Sequence, residues 1–191
     1  MNLIGTLILL LLVIVLAAFA AIYLGVYNVG VLNHDNPVMN WILDTSMERS
    51  VKHHAQGIAV PPLTDRAMIR TGFHHFDAMC AECHGAPGVK PKEIAQGLWP
   101  EAPDLSKTAS DWKPEELYWI IKNGIKFTGM PAWGPSHREE DLWALTAFVR
   151  TLPAMSASTY AGMRDSTSTA GYAEPMRGGS GSGAQPTTPK P

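Results

Sequence analysis

The chain has 191 residues, a formal net charge of −2, 46% hydrophobic residues and two cysteines. This length accommodates one ordinary domain, or a smaller domain with attached segments. No basic block or face stands out in the sequence, which argues against a nucleic-acid-binding protein, and we expect no nucleic-acid partner.

The first predicted element is an apolar N-terminal helix. No charged residue occurs between Asn2 and Asn33, and residues 3–22 are almost entirely apolar. A helix of about 20 apolar residues spans a hydrocarbon core of roughly 30 Å. A cleaved signal peptide ending near Ala18-Phe19-Ala20 is the alternative, but no Lys or Arg precedes the run and apolar residues continue past it. We therefore predict an uncleaved transmembrane anchor over residues 1–27.

A linker and a C-terminal tail flank the predicted globular region. The linker, residues 28–63, contains Asn36-Pro37 and Pro61-Pro62, which disfavour one continuous helix. Its middle, residues 38–55, mixes apolar and charged side chains and is compatible with a short amphipathic helix lying at the membrane surface. A tether with one helical turn packed on its own domain is the alternative. Residues 154–191 are rich in Ser, Thr, Gly and Pro and predict a disordered tail.

Residues 64–153 predict a small all-α domain of three to four helices. The signals are an N-cap threonine, a first-turn proline followed by two glutamates, and a Ser-His-Arg-Glu capping-box pattern. The predicted helices begin at Thr64, near Pro114 and at Ser136, and end near Cys83, at Gly124 and before Pro153.

A long stretch between the first two helices, residues 85–113, lacks clear secondary structure. Domains of this size have small cores and are often stabilised by a metal or cofactor. A loop of this length in a compact domain needs something to wrap around, and a large flat cofactor would meet that need.

The two cysteines belong to the motif Cys80-Ala81-Glu82-Cys83-His84, which is compatible with several chemistries. A redox dithiol is typical of cysteines that open a helix within a βαβ unit, whereas this pair ends a predicted helix. A structural zinc site normally needs four protein ligands, and no second ligand pair is suitably spaced. Two buried cysteines beside an unrelated histidine would leave the long loop unexplained. A covalent haem uses all three residues: the thiols add to the two vinyl groups at one porphyrin edge, and the histidine lies beneath the iron.

A methionine downstream favours the haem interpretation. Met130 lies between Gly129 and Pro131, in a predicted loop rather than on a helix. Its thioether can complete the sixth coordination position of a haem iron. The alternative is a loop methionine that covers an apolar patch.

The segment Cys80–Gly85, followed by Gly129–Pro131 and the terminal helix DLWALTAFVRTLP, resembles a small monohaem cytochrome c of the class I type. The resemblance covers about residues 65 to 153. It implies one covalent haem c attached through Cys80 and Cys83, with His84 as the proximal and Met130 as the distal iron ligand.

The same resemblance implies further roles around the haem. A pair on the first helix should cross a pair on the last: Gly72 and Phe76 against Leu145 and Phe148. The carbonyl of Pro87 should orient the proximal histidine, and Trp99 is a candidate partner of a haem propionate.

An iron held on both faces has no open position, so the resemblance implies an electron carrier rather than an enzyme. The expected partners in a respiratory chain are a membrane respiratory complex or a periplasmic dehydrogenase or reductase. Covalent haem attachment in bacteria occurs outside the cytoplasmic membrane, which predicts a single-pass inner-membrane protein with a periplasmic haem domain.

Lys122 and Lys126 beside the Met130 loop suit transient docking, and ordinary solvated lysines are the alternative. Two other functions stay open at this point. One is a haem-based gas or peroxide sensor, and the other is a cytochrome subunit of a larger oxidoreductase complex.

Overall fold

The computed structural model describes residues 2–32 and 37–169, and this part of the chain is helical and contains no β-strand. The predicted all-α class is confirmed. The helices are α1 (Leu3–Tyr23), α2 (Pro37–His54), α3 (Arg66–His75), α4 (Ala81–His84), α5 (Leu105–Thr108), α6 (Pro114–Asn123), α7 (Glu139–Val149) and α8 (Ala157–Thr169). A π-helical turn, Phe76–Cys80, joins α3 to α4. Short 3-10 turns occur at Glu93–Gly97, Ala109–Asp111 and Leu152–Ala154.

The N-terminal helix α1 is a candidate membrane span. It has 21 residues with a mean hydropathy of 3.1 in its most apolar window, and none of them is buried. At 1.5 Å per residue its length is about 31 Å, which matches the hydrocarbon core of a bilayer. Asn2 caps the helix by accepting a hydrogen bond from the backbone N–H of Gly5 at 3.3 Å.

Helix α2 coincides to within one residue with the helix that the sequence predicted over residues 38–55, and it is longer than the single turn given as the alternative. Pro37 stands at its first position, where a proline needs no hydrogen-bond donor. Val51 lies in the last turn of α2 and Ala55 directly follows the helix. Both residues are only 1% exposed. The C-terminal part of α2 therefore packs against the globular region instead of serving as a free tether.

The crossing of α3 and α7 forms the centre of the domain, as the resemblance implied. A β-carbon on Gly72 would lie 1.9 Å from the carbonyl oxygen of Ala144 and 2.8 Å from the β-carbon of Phe148. Only a glycine therefore allows the two backbones to approach this closely. The rings of Phe73 and Phe76 lie 5.5 and 5.2 Å from the ring of Phe148, and all three are almost fully buried.

The helix ends of the domain differ from the predicted ones in two places. Asp65, not Thr64, caps α3 and accepts a hydrogen bond from the N–H of Ala67 at 2.8 Å. The predicted capping box at Ser136 is not formed: its hydroxyl contacts the carbonyl of Trp133 and the His137 ring instead. In contrast, the predicted ends of α6 are correct: the helix begins at Pro114 and ends directly before Gly124.

Helix α8 lies within the segment that the sequence predicted to be a disordered tail, and residues 154–169 are ordered instead. Tyr160 of α8 is 0% exposed and its hydroxyl donates a 2.7 Å hydrogen bond to the carboxylate of Asp77. Arg164 pairs with the same carboxylate at 2.9 Å. These long-range contacts extend the domain past Pro153. The remaining part of the predicted tail, residues 170–191, lies outside the described residues.

Candidate functional site

The Cys-x-x-Cys-His motif lies where the π-helical turn passes into α4. Cys80 is the last residue of the turn, and Cys83 and His84 belong to α4. Both cysteines are half-buried and neither forms a disulfide. π-Helical turns within helices are rare and occur frequently at functional sites. The three side chains are therefore presented from one short segment at the edge of the core, which begins with a locally underwound turn.

The environment of the cysteines argues against a redox dithiol. Burial, and to a lesser extent the neighbouring Cys83, raises the pKa of the Cys80 thiol to about 12. Reactive dithiols need a lowered thiol pKa at a helix N-terminus, which is the opposite arrangement. A zinc site also lacks support, because the described residues contain no group of three or more His, Cys, Asp and Glu side chains suited to a metal ion.

His84 is oriented by a carbonyl from the long loop. Its Nδ1 lies 2.8 Å from the carbonyl oxygen of Pro103, and because a carbonyl only accepts, Nδ1 carries the proton. Burial lowers the pKa of His84, an effect that this hydrogen bond partly opposes. The imidazole is therefore neutral at pH 7, with the lone pair of Nε2 available to a metal.

The residue that orients His84 is not the predicted one. The resemblance assigned this role to the carbonyl of Pro87, but Pro87 lies in a tight turn closed by two hydrogen bonds between Ala86 and Val89 at 2.9 and 2.8 Å. That turn sends the chain back along α4, where the backbone N–H of Lys92 donates to the carbonyl of Glu82 at 2.8 Å. Pro103 was missed because it lies 19 residues from His84, beyond any local sequence pattern.

The Met130 loop is held in place by its own backbone and by one threonine. The hydroxyl of Thr128 donates to the carbonyl of Ile125 at 2.8 Å and accepts from the N–H of Met130 at 3.1 Å. The N–H of Ile125 donates to the carbonyl of Met130 at 3.2 Å. Gly124 starts the loop with a φ of +64°, and a β-carbon there would lie 2.7 Å from the Met130 carbonyl oxygen. Met130 is half-buried.

The long loop after α4 touches both halves of the candidate site. Pro103 of this loop binds His84, and the side chain of Leu98 packs so closely on Gly129 that a β-carbon there would approach it to 2.5 Å. The loop that follows His84 is therefore in contact with the loop that carries Met130.

Protein atoms alone do not bury the long loop. Residues 86–108, all within the described part of the chain, include no fully buried side chain. Ile94 is 64% exposed and Trp99 38% exposed. Exposed apolar side chains in the loop whose Pro103 orients the histidine fit a large apolar cofactor such as haem. The predicted contact of Trp99 with a haem propionate stays a prediction.

An all-α domain that presents two thiols and an oriented, neutral histidine from one helical segment defines the class of c-type cytochrome domains. Residues 67–149 match the family model of cytochrome C oxidase, cbb3-type, subunit III. The curated proteins contain no match to the chain. With the apolar helix α1 in front of it, the matched region is the haem domain of a membrane-anchored monohaem cytochrome c, and its family performs haem-based electron transfer.

Proposed function

We propose that this chain carries single electrons at the outer face of the cytoplasmic membrane. One haem c is attached through Cys80 and Cys83, the only cysteines of the sequence, and its iron is held by His84 and Met130. The observation that carries the proposal is the hydrogen bond from Nδ1 of His84 to the Pro103 carbonyl, because it leaves Nε2 as the only coordinating atom of the ring.

The chain's own residues serve to hold the site rigid. The bonds of Thr128 fix the backbone on both sides of Gly129, and Gly124 fixes where the loop leaves α6. When bound, haem supplies a one-electron couple at its iron, and a thioether ligand raises its potential. A preformed ligand set changes little between the two redox states, which suits a carrier better than an enzyme.

The surface beside the Met130 loop supports docking of a redox partner. Lys122 and Lys126 are exposed there, and Phe127 is 82% exposed. Positive charges around an exposed aromatic residue suit brief contact with an acidic surface, because charge steers association without strong binding. The proposed partners are a membrane respiratory complex or a periplasmic dehydrogenase or reductase.

The proposed orientation places the haem domain on the periplasmic side of a single-pass anchor. It rests on the chemistry of haem attachment, which in bacteria takes place outside the cytoplasmic membrane, together with the candidate span α1.

The absorption spectrum of the ferric full-length protein tests the ligand set. We expect the weak sulfur-to-iron charge-transfer band in the wild type, its loss in Met130→Ala, and carbon monoxide binding by the reduced variant only. Met155→Ala is the matched control, since Met155 is also half-buried but lies outside the loop. A wild-type protein that lacks the band and binds carbon monoxide would instead be a gas or peroxide sensor.

The matched family gives a second candidate function. Its description names a subunit of a cbb3-type oxidase, so the chain is also a candidate subunit of a larger complex. Mild detergent extraction followed by size-exclusion chromatography separates the two. A haem-containing peak that elutes stably with a large oxidase supports the subunit, and a small haem-containing peak supports the mobile carrier.

A further inference from the structure

Helix α2 is held by the haem domain along its C-terminal half only. Val51 and Ala55 are 1% exposed, and Met47, one turn earlier, is half-buried. The ring of His54 lies 5.8 Å from the ring of Trp119 on α6. This half of α2 is therefore part of the domain.

The first two turns of α2 present an apolar surface instead. Its exposed side chains are Val38 (64%), Trp41 (67%), Ile42 (43%) and Leu43 (38%). No charged residue occurs from Pro37 to Leu43. A soluble domain rarely leaves a tryptophan and several aliphatic side chains exposed together unless they meet a partner.

This apolar surface faces away from the haem domain. Val38 precedes Val51 by 13 residues, and Ile42 precedes Ala55 by the same interval. At 100° per residue, each of these pairs lies about 140° apart around the helix axis. Val38 and Ile42 therefore lie on the side of α2 opposite to its buried contacts, and Trp41 lies on the flank of the helix, about 80° from Val51.

The polarity of the outward face changes along the helix axis. Val38, Trp41 and Ile42 lie at spacings of three and four, and the same face continues with Thr45, then Arg49. Arg49, the charged residue of this face, lies about 10 Å beyond Ile42 along the helix axis. A helix lying flat on a membrane would keep its apolar face along its whole length, so this gradient fits an oblique helix whose N-terminal end is inserted.

The preceding chain keeps this end of α2 close to the membrane. Residues 24–32 carry no charge, and their large apolar side chains are exposed: Leu24, Val26, Tyr27, Val29, Val31 and Leu32. Such a segment, which follows Tyr23 of α1 and contains Tyr27, belongs at the membrane–water interface. The chain from Leu32 to Pro37 extends at most about 18 Å, so α2 begins within reach of the same interface.

We propose that the first two turns of α2 insert obliquely into the lipid interface and orient the haem domain on the membrane. The lipid headgroup–acyl boundary is the partner, with Trp41 at its polar edge and Arg49 near the headgroups. Helix α6 packs against α2 and leads through Gly124 into the Met130 loop. The inserted end of α2 is therefore a second attachment point, which fixes the orientation of the surface beside the Met130 loop relative to the membrane.

Photo-cross-linking of the full-length holoprotein tests the contact directly. The photoreactive residue p-benzoylphenylalanine replaces Trp41, Ile42 or, as the control, exposed His53, and each protein is reconstituted in phosphatidylcholine vesicles containing phosphatidylglycerol. We expect lipid adducts by mass spectrometry at positions 41 and 42 and none above background at 53. Absence of lipid adducts at 41 and 42, or cross-links to a second copy, would overturn the proposal.

Linear dichroism of the haem in oriented bilayers tests the consequence. We expect a dichroic signal in the wild type, its loss in the double variant Trp41→Glu, Ile42→Glu, and an unchanged signal in His53→Glu. Unchanged dichroism in the double variant would contradict the orienting role. The ferric spectrum of each variant reports the ligand set separately, so failure of this proposal is distinct from failure of the proposed function.

Discussion

Phe127 has a backbone conformation that a residue with a side chain seldom adopts. Its φ is +61° and its side chain is 82% exposed, directly before Thr128. The left-handed region costs a non-glycine residue about 1–2 kcal/mol, and asparagine tolerates it best. We expect Phe127→Asn to raise the free energy of unfolding by about 1 kcal/mol, measured by denaturant unfolding of the holoprotein. Phe127→Ala is the control, because alanine keeps the β-carbon and the strain.

The same variants separate strain from docking. If the exposed ring of Phe127 contacts the redox partner, both substitutions slow electron transfer to that partner, although only Phe127→Asn increases stability. Strained residues persist where the surrounding structure enforces them, frequently at functional sites. An Asn variant that is less stable than the Ala variant would contradict the strain argument.

At the residue scale, the sequence predicts which side chains would hold a haem, and that assignment stays a prediction; it does not predict which groups position those side chains. Cys80, Cys83 and His84 are recognisable because the chemistry of attachment requires that spacing within a single segment. Pro103 and Thr128 are not, because a carbonyl acceptor and a hydroxyl bridge leave no pattern in the sequence. Their roles depend on the path of the loops in three dimensions.

At the element scale, the crossing of α3 and α7 depends on the absence of a side chain at Gly72. In Gly72→Ala the new β-carbon would overlap the Ala144 carbonyl oxygen, so the helices must separate. We expect the free energy of unfolding to fall by about 1–3 kcal/mol, the usual effect of overpacking a core. Thermal unfolding followed by circular dichroism measures the loss.

Gly162 of α8 offers the matched control for that substitution. A β-carbon there would meet nothing within 4 Å. Gly162→Ala should therefore stabilise the protein by about 0.5–1 kcal/mol through the helix propensity of alanine. Equal effects of the two substitutions would show that the close approach at Gly72 is not what limits stability.

Tyr160 fixes α8 to the segment that carries the first cysteine. Burial raises the pKa of Tyr160, and its bond to the Asp77 carboxylate raises it further, so the hydroxyl stays protonated and donates. Loss of a buried hydrogen bond to a charged group costs about 1.5–3 kcal/mol. We expect Tyr160→Phe to lower the free energy of unfolding by that amount, and the combination with Asp77→Asn to be less than additive. Additive losses would mean that the two side chains act independently.

Composition explains why α8 was not predicted. Residues after Pro153 contain few large apolar side chains, and the segment is held by Tyr160 and Arg164 through contacts with Asp77, more than 80 residues earlier. A tertiary contact of this kind outweighs weak local preference. The ends of α6 were predictable, in contrast, because a first-turn proline and a left-handed glycine act locally.

At the scale of the whole molecule, the described domain divides into a self-supporting helical core and a loop that protein atoms do not bury. The aromatic and aliphatic side chains of α3, α6, α7 and α8 form one buried cluster, whereas residues 86–108 contribute no fully buried side chain. The length of this loop was readable from the sequence, and its need for a cofactor stays a prediction. Its division into short helical turns was not, because segments of three to five residues carry weak signals.

Removal of the haem should therefore unfold one part of the domain before the other. In the double variant Cys80→Ser, Cys83→Ser, purified without covalent haem, we expect fast amide hydrogen exchange over residues 86–108 and persistent protection at the crossing of α3 and α7. The reason is that buried phenylalanines hold the crossing together. The loop reaches the rest of the domain mainly through Pro103 to His84, Leu98 on Gly129, and the partly buried side chains of Ala86, Val89 and Leu105. Hydrogen exchange with mass spectrometry on the haem-containing and haem-free proteins measures both regions. Equal loop protection in the two forms would mean that residues 86–108 fold without the haem, and the argument that links the long loop to a bound cofactor would fail.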